Sequence, residues 1–401
     1  MIQLLYILFA MDMFNLAIFL PIFNGFAMSL GGTPSIIGLV ESSYYLVCLI
    51  WNPIAGSLSD HIGRKGLLTK CLTASAIGYV IITASTSLSA VFLGRVISAF
   101  GGSVTILLRS MVGDIYESPE NKREFFRHSA LLNCMAFLVG SVITGFLSEL
   151  QYGYRLCFLL MVCSMSTASF LAQCSLPHKT YKPPKSSMIQ DQSLFKSGLN
   201  ELKIAIANLK NISWPRYKSL FIIKAGFDFA IMVITANIGL ILLEEYNIKG
   251  RYLGFTFLLI STVSIVTNML QIKIIHFFGN ISEYDILIRG GMIMIISFIG
   301  MATFVPVLLF LIFMIVNFMI RAFVDTLLIQ IITIKTREND RGKVIGAFEN
   351  VRSLAGFFAP PISGLIAEVY GPRIAVLSAV VPLTIALSMV SIANKKKTKS
   401  K

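Results

Sequence analysis

The chain is expected to be an all-α integral membrane protein of twelve transmembrane helices in two pseudo-symmetric six-helix halves. Three observations lead there. Its 401 residues are 55% hydrophobic and 13% charged, with a mean hydropathy of +0.77, whereas soluble domains carry about 25% charged residues. Apolar runs of roughly 20 residues, the length that crosses a bilayer, recur along it. Its first half also repeats in its second.

The runs are read at 3–28, 35–58, 67–88, 90–115, 127–149 and 154–176, then 218–243, 252–277, 285–305, 307–333, 344–368 and 374–393. No charged segment and small-residue cleavage site accompany Met1–Leu20, so it reads as a retained span and not a signal peptide. The second run carries only Glu41 as a charge between Ile36 and Pro53. Pro177–Pro215 is the longest polar stretch and is rich in lysine. The expected organisation is a half at 1–176, a cytoplasmic linker at 177–217, a half at 218–393 and a basic tail at 394–401.

A net charge of +14 raises the question of nucleic acid, and the placement of the charge answers it. Lys and Arg crowd alternate loops: Arg64 and Lys65, Lys122 and Arg123, the linker, Lys335–Lys343 and the tail. The opposite loops hold Arg155, Lys249, Arg251 and Arg373. That asymmetry is the positive-inside pattern, and it predicts both termini and the linker in the cytosol. Which membrane is left open, plasma membrane or an internal one of the endoplasmic reticulum or endolysosomes. Lys397-Thr398-Lys399-Ser400-Lys401 fits a dilysine retrieval pattern, and it equally fits an anchor to anionic lipid.

Six cysteines fall in apolar runs of the first half without a C-x-x-C pair, and four histidines are scattered. Neither a disulfide framework nor a metal site is implied. No nucleophile–base set or phosphate-binding loop is visible, so enzymatic activity and a cofactor are not expected.

Sliding the chain by 216 residues brings Asp12 onto Asp228, Gly38 onto Gly254 and Gly63 onto Gly279. Near the ends of the halves, Gly145-Phe146-Leu147-Ser148-Glu149 matches Gly364-Leu365-Ile366-Ala367-Glu368, and Arg155 matches Arg373.

Between the second and third runs lies Gly56-Ser57-Leu58-Ser59-Asp60-His61-Ile62-Gly63-Arg64-Lys65. Gly56 reads as a close helix approach, Gly63 as a tight turn, and Asp60 and Arg64 as charges able to pair differently in two states. The decapeptide resembles the loop 2–3 motif G-x-L-x-D-x-x-G-R-K of the major facilitator superfamily. Its second-half counterpart is degenerate, with Ile272, His276 and Asn280 at the matching positions.

Other segments carry the same resemblance. Gly94–Gly101, with Arg95, is similar to the fourth-span motif; Asp114 followed by Pro119-Glu120-Asn121-Lys122-Arg123 is similar to the D-x-x-x-P-E-x-x-R that closes that span. Val139–Gly145 resembles the antiporter motif G-P-x-x-G-G, with Ser141 for the proline and Thr144 for one glycine. Met11-Asp12 with Pro21 resembles the first span of tetracycline-efflux proteins and vesicular amine transporters. The branch looks like the tetracycline-resistance-like one that includes organic-cation-transporter-like proteins of animals.

The resemblance implies alternating access around a solute bound between the halves. It implies that Arg64 pairs with Asp114, and that Asp60 meets the start of the eleventh span near Lys343–Gly346. With Gly56, Gly63, Lys65 and Arg123 these form the expected gate.

A charge in mid-span costs about 2.5–3.5 kcal/mol on insertion scales, so each needs a reason. Lys224–Asp228 and Arg321–Asp325 are spaced i,i+4, and Glu349–Arg352 i,i+3; such pairs can simply neutralise each other. Asp12 has no basic residue within a turn, which fits a group exchanging a proton and a cation. Phe14, Phe19, Met13, Tyr44 and Tyr45 would suit a cation beside it. The expected substrate and proton sites are therefore Asp12, Asp228, Lys224, Glu41, Arg95, Arg321 and Asp325, with the proton as coupling ion.

The function this reading favours is proton-coupled export or exchange of organic cations or lipophilic drug-like solutes. A facilitative uniporter and a non-transporting scaffold or sensor remain open. The expected partners are a small-molecule solute and the lipid bilayer, with no nucleic acid, and the chain is expected to be a monomer.

Overall fold

A computed structural model describes residues 2–116, 118–177, 203, 214–277, 282–303, 305–336 and 341–399. Most of the linker, all of 278–281 and the last two residues of the tail lie outside them. In chain order the rods are α1 (Ile2–Ser29), α2 (Pro34–Ile62), α3 (Arg64–Ala84), α4 (Leu88–Ile115), α5 (Pro119–Leu147) and α6 (Gly153–Ser175). They continue with α7 (Trp214–Glu245), α8 (Gly250–Phe277), α9 (Glu283–Ala302), α10 (Val307–Lys335), α11 (Arg341–Tyr370) and α12 (Pro372–Leu377, resuming at Val380–Lys399).

Eleven of these helices are long and apolar enough to cross a membrane. The remaining long one, α11, has 30 residues and contains Pro360 and Pro361. Large apolar side chains such as Met135, Ile334 and Leu308 stand more than 60% exposed, as a lipid-facing surface requires.

Apolar runs mark the depth of the membrane, and capping residues set the true helix starts. α5 begins at Pro119, eight residues before its apolar run. Ser118 caps it by accepting from the Asn121 N–H at 3.2 Å, and Pro119 supplies the fixed φ of a first turn. Ser282 caps α9 in the same way, accepting from Asp285.

The fourth run, expected to be one helix, is interrupted by a tighter 3₁₀ segment at Ala99–Ser103. The carbonyls loosened there are met from neighbouring helices: Ser75 donates to Ser98 O at 3.1 Å, Trp51 Nε1 to Phe100 O at 3.1 Å, and Cys48 Sγ to Ala99 O at 3.6 Å. Broken backbone persists inside a membrane only when other protein groups satisfy it. The twelfth run is interrupted as well, between Leu377 and Val380, and α7 ends in a π turn at Ile241–Glu245.

Packing reproduces the repeat. In the first half α1 lies against α5 and α6, and α3 against α4 and α6; in the second α7 lies against α11 and α12, and α9 against α10 and α12. The repeat-mate arginines act alike. Arg155 donates to Ser85 O at the end of α3, and Arg373 to Thr303 O at the end of α9 and to Glu245.

The chain forms two compact units. One contains 1–31, 43–208 and 249–255; the other contains 32–42, 209–248 and 256–401. Each therefore includes the first turns of a helix that belongs to the other half by sequence. Within the second unit, α2 crosses α11 so closely that a Cβ on Gly38 would collide with the Pro360 carbonyl. Within the first, a Cβ on Gly254 would fall 2.6 Å from Ser141 O and 2.7 Å from the Gly145 Cα. The matched glutamates secure these crossings: Glu149 accepts from Arg251 N at 3.1 Å, and Glu368 from Ser35 N at 3.2 Å. Carboxylates are favoured at helix N-termini. Gly38→Val is expected to force α2 from α11 and to reduce transport strongly while membrane insertion persists. Uptake at matched surface expression checks it, and unchanged uptake would remove any role for that crossing.

Candidate functional site

In the first unit the site is built on α1 and α4. Asp12 is half-buried on α1 and accepts a hydrogen bond from Thr105 Oγ1 at 2.8 Å. Among the described residues no Lys or Arg nitrogen is within salt-bridge distance of it. One turn on, Asn15 donates to Met11 O at 2.6 Å and to Ser164 Oγ on α6 at 2.9 Å, and its carbonyl oxygen is buried without a partner. Gly140 of α5 allows α1 to come close, since a Cβ there would meet the Phe14 carbonyl at 2.9 Å.

The aromatic residues expected around Asp12 do not all serve it. Phe19 and Tyr44 stand over the Arg95 guanidinium, with ring centroids 4.1 Å and 4.3 Å from its central carbon, and Phe23 lies at 5.5 Å. The cause is depth: seven residues along α1 carry Phe19 about 10 Å from Asp12. Thr105 was not among the expected residues. A threonine in an apolar run gives no signal until the depths of α1 and α4 are known.

The second unit's charges form a chain. Lys224 Nζ lies 3.0 Å from Asp228 Oδ2 and 3.9 Å from Asp325 Oδ1, and Arg321 Nε lies 3.6 Å from Asp325 Oδ2. Both intrahelical pairs form as their spacing predicts, and Lys224 joins them across α7 and α10. Lys224 and Asp228 are 2% and 3% exposed, so both are shielded from bulk water. Glu349 and Arg352 make no ion pair, contrary to expectation; Arg352 lies instead within electrostatic reach of Asp228. Glu41 is buried, lining a crevice with Gly38, Asn237, Pro360 and Gly364. Asn317 is fully buried on α10, and neither its amide nitrogen nor its oxygen has a partner.

The gate motif forms a four-helix clasp. Gly63 adopts φ 88°, a conformation suited to glycine, and turns α2 into α3. Arg64 grips Asp114 at the end of α4 with two nitrogens, Nε on Oδ2 and Nη2 on Oδ1 at 3.3 Å. Its Nη1 donates to Ser59 Oγ at 3.1 Å, and Lys65 Nζ donates to Leu176 O after α6 at 2.6 Å. Gly56 does not mediate a close helix approach among the described residues: a Cβ there would meet none of them within 4 Å. The side chains of Asp60 and Arg123, and those of Ile272, His276 and Asn280, lie outside the described residues.

Paired N–H donors on one carboxylate are among the stronger hydrogen-bonded pairs. Arg64→Ala is expected to lower transport about tenfold, the factor that a ~1.4 kcal/mol change in bias between two states produces. Insertion should be unaffected. Uptake rates and surface labelling together check this, and normal kinetics would remove the gating role.

The family model "Major Facilitator Superfamily" matches residues 4–360. The chain belongs to that superfamily of membrane transporters. Quinolone resistance protein NorA of Staphylococcus aureus is 22% identical over 238 residues, which is 59% of this chain and 57% of that protein. The chain thus aligns with little more than half the length of that relative. Tetracycline resistance protein, class H, of Pasteurella multocida is 26% identical over 28% of each chain. Among solved structures, a bacterial homolog of the human lysosomal transporter Spinster superposes with a TM-score of 0.78 at 13% identity, covering 98% of this chain and 96% of that one. The human organic anion transporter MFSD10 superposes at 0.69 with 15% identity, covering 97% and 98%. These likenesses establish the twelve-helix fold.

Proposed function

We propose that the chain is a secondary active transporter that exchanges protons for organic cations or lipophilic drug-like solutes by alternating access. The observation that carries this reading is Asp12, an intramembrane carboxylate held by a neutral hydroxyl and not by a basic side chain. Ionised, it attracts a cation; protonated, it releases one. Asp228, its repeat mate, is locked to Lys224 and shapes the field instead. The Arg64–Asp114 clasp is the element that opens and closes with the cycle. The quinolone and tetracycline resistance relatives support a drug-like solute by their names, and the organic anion transporter warns that this fold accepts other charges.

The test is uptake of a panel of organic cations into proteoliposomes, with and without an imposed pH gradient. Gradient-driven accumulation supports exchange. Equilibration without accumulation favours a facilitative uniporter, and no uptake of any solute favours a non-transporting role.

From the Lys/Arg asymmetry we infer that both termini and the linker lie in the cytosol. A tag after Lys401 should be reached by antibody only once the membrane is permeabilised; labelling on intact cells would reverse the assignment.

A further inference from the structure

Arg95 sits in α4 just before the 3₁₀ break, and it is 5% exposed. The intramembrane charges of α7 and α10 compensate one another, but Arg95 has no such compensation. Among the described residues no carboxylate is paired with it, and its Nε is buried without an acceptor. Its compensation comes from the faces of Phe19, Tyr44 and Phe23. Rings stabilise a cation above and below its plane. They leave the in-plane N–H fork free, and that fork matches a carboxylate. Of its three nitrogens only Nε is sealed from solvent without a partner, so the rest of the fork is not closed off. Tyr44 and Tyr79 each lie within electrostatic reach of both Arg95 and Asp12, which puts the two opposite charges in one region of the first unit.

We propose that Arg95 is an anion-recognition site for the transported solute. It takes a carboxylate on its N–H fork, while the solute's aromatic body lies among the rings and a protonated amine reaches Asp12. The solute class is then an aromatic zwitterion. Asp12 and Phe19, whose ring stands over Arg95, lie about 10 Å apart along α1 at a rise of ~1.5 Å per residue, which suits a solute whose charged ends have a comparable separation. This refines the transport reading above by giving the solute a second charge, and it rests on that reading for the solute's entry into this half.

The test is equilibrium binding to the purified full-length protein, which needs no proton gradient. Three probes share one scaffold: 4′-(aminomethyl)biphenyl-4-carboxylate, whose charged ends match that separation, its methyl ester and its N-acetyl derivative. The zwitterion is expected to bind at least about tenfold tighter than the ester, because a paired N–H fork on a carboxylate is a strong contact. Arg95→Gln should bring that ratio to about one. Asp12→Asn should erase the preference over the N-acetyl probe. If Arg95→Gln does not fold, Arg95→Lys keeps the charge without the fork, and its ratio should fall between one and the wild-type value. A wild-type ratio in both Arg95 variants, or no binding of the zwitterion, overturns the proposal. A preserved binding preference without gradient-driven uptake would remove proton exchange and leave this site standing.

Discussion

Asp12→Asn is expected to abolish cation transport and its dependence on pH, in a protein that still folds. Asparagine presents an oxygen of similar reach, so the hydrogen bond from Thr105 Oγ1 can be kept. No ion pair is broken, because none holds Asp12 among the described residues. What is lost is the charge. A carboxylate about 4 Å from a bound cation contributes on the order of 4 kcal/mol at an effective dielectric of ~20, so affinity for an organic cation should fall by up to about a thousandfold. The variant is also fixed in the uncharged state that the proton would otherwise create, so changing pH should leave the residual rate unaltered. Thr105→Val keeps the charge and removes only the donor, and a loss of several-fold is expected. Uptake into proteoliposomes across a pH series, with surface expression matched, measures both. Wild-type pH dependence in Asp12→Asn would eliminate Asp12 as the exchangeable group, and facilitated diffusion would become the better reading.

The membrane spans were legible because burial in lipid demands long apolar runs, and such runs cannot be hidden in a sequence. The starts of α5 and α7 were not, since helices continue past the bilayer on capping and polar turns that hydropathy does not register. The break at Ala99–Ser103 was missed for a related reason. Glycine pairs are common in membrane helices, and what makes Gly101-Gly102 part of a break is the set of donors on Ser75, Cys48 and Trp51, far away in the chain. At the site, spacing alone gave two of the three expected pairs within one helix, Lys224–Asp228 and Arg321–Asp325, and failed for Glu349–Arg352, where Arg352 lies instead within electrostatic reach of Asp228 on α7. The clasp of Arg64 on Asp114 was readable only through a motif. Contacts set by the relative depth of two helices were not readable. That category includes Thr105 beside Asp12, Phe19 and Tyr44 on Arg95, and the approach of Asp325 to Lys224.

That last approach changes what mutations in the second half should do. If Lys224 served Asp228 alone, removing either partner would strand the other and the two substitutions would be equally harmful. Lys224 instead lies between two carboxylates, 3.0 Å from Asp228 and 3.9 Å from Asp325. Asp228→Asn therefore leaves Lys224 with Asp325, and the asparagine can still accept the hydrogen bond that Asp228 receives at 3.2 Å. Its cost should be small, about 1 kcal/mol. Lys224→Met removes the shared cation and leaves Asp228 buried at 3% exposure, facing a second acid. Stranding a buried charge in this way costs about 3–5 kcal/mol. Combining Lys224→Met with Asp228→Asn should recover part of that loss, because the stranded charge is gone, and the non-additivity itself reports the contact. Thermal unfolding of the detergent-solubilised variants provides the measurement. The expected order of stability is wild type, Asp228→Asn, the double variant and then Lys224→Met. Equal losses in the two single variants would mean that Asp325 does not share Lys224, and that the two helices are not joined through this charge.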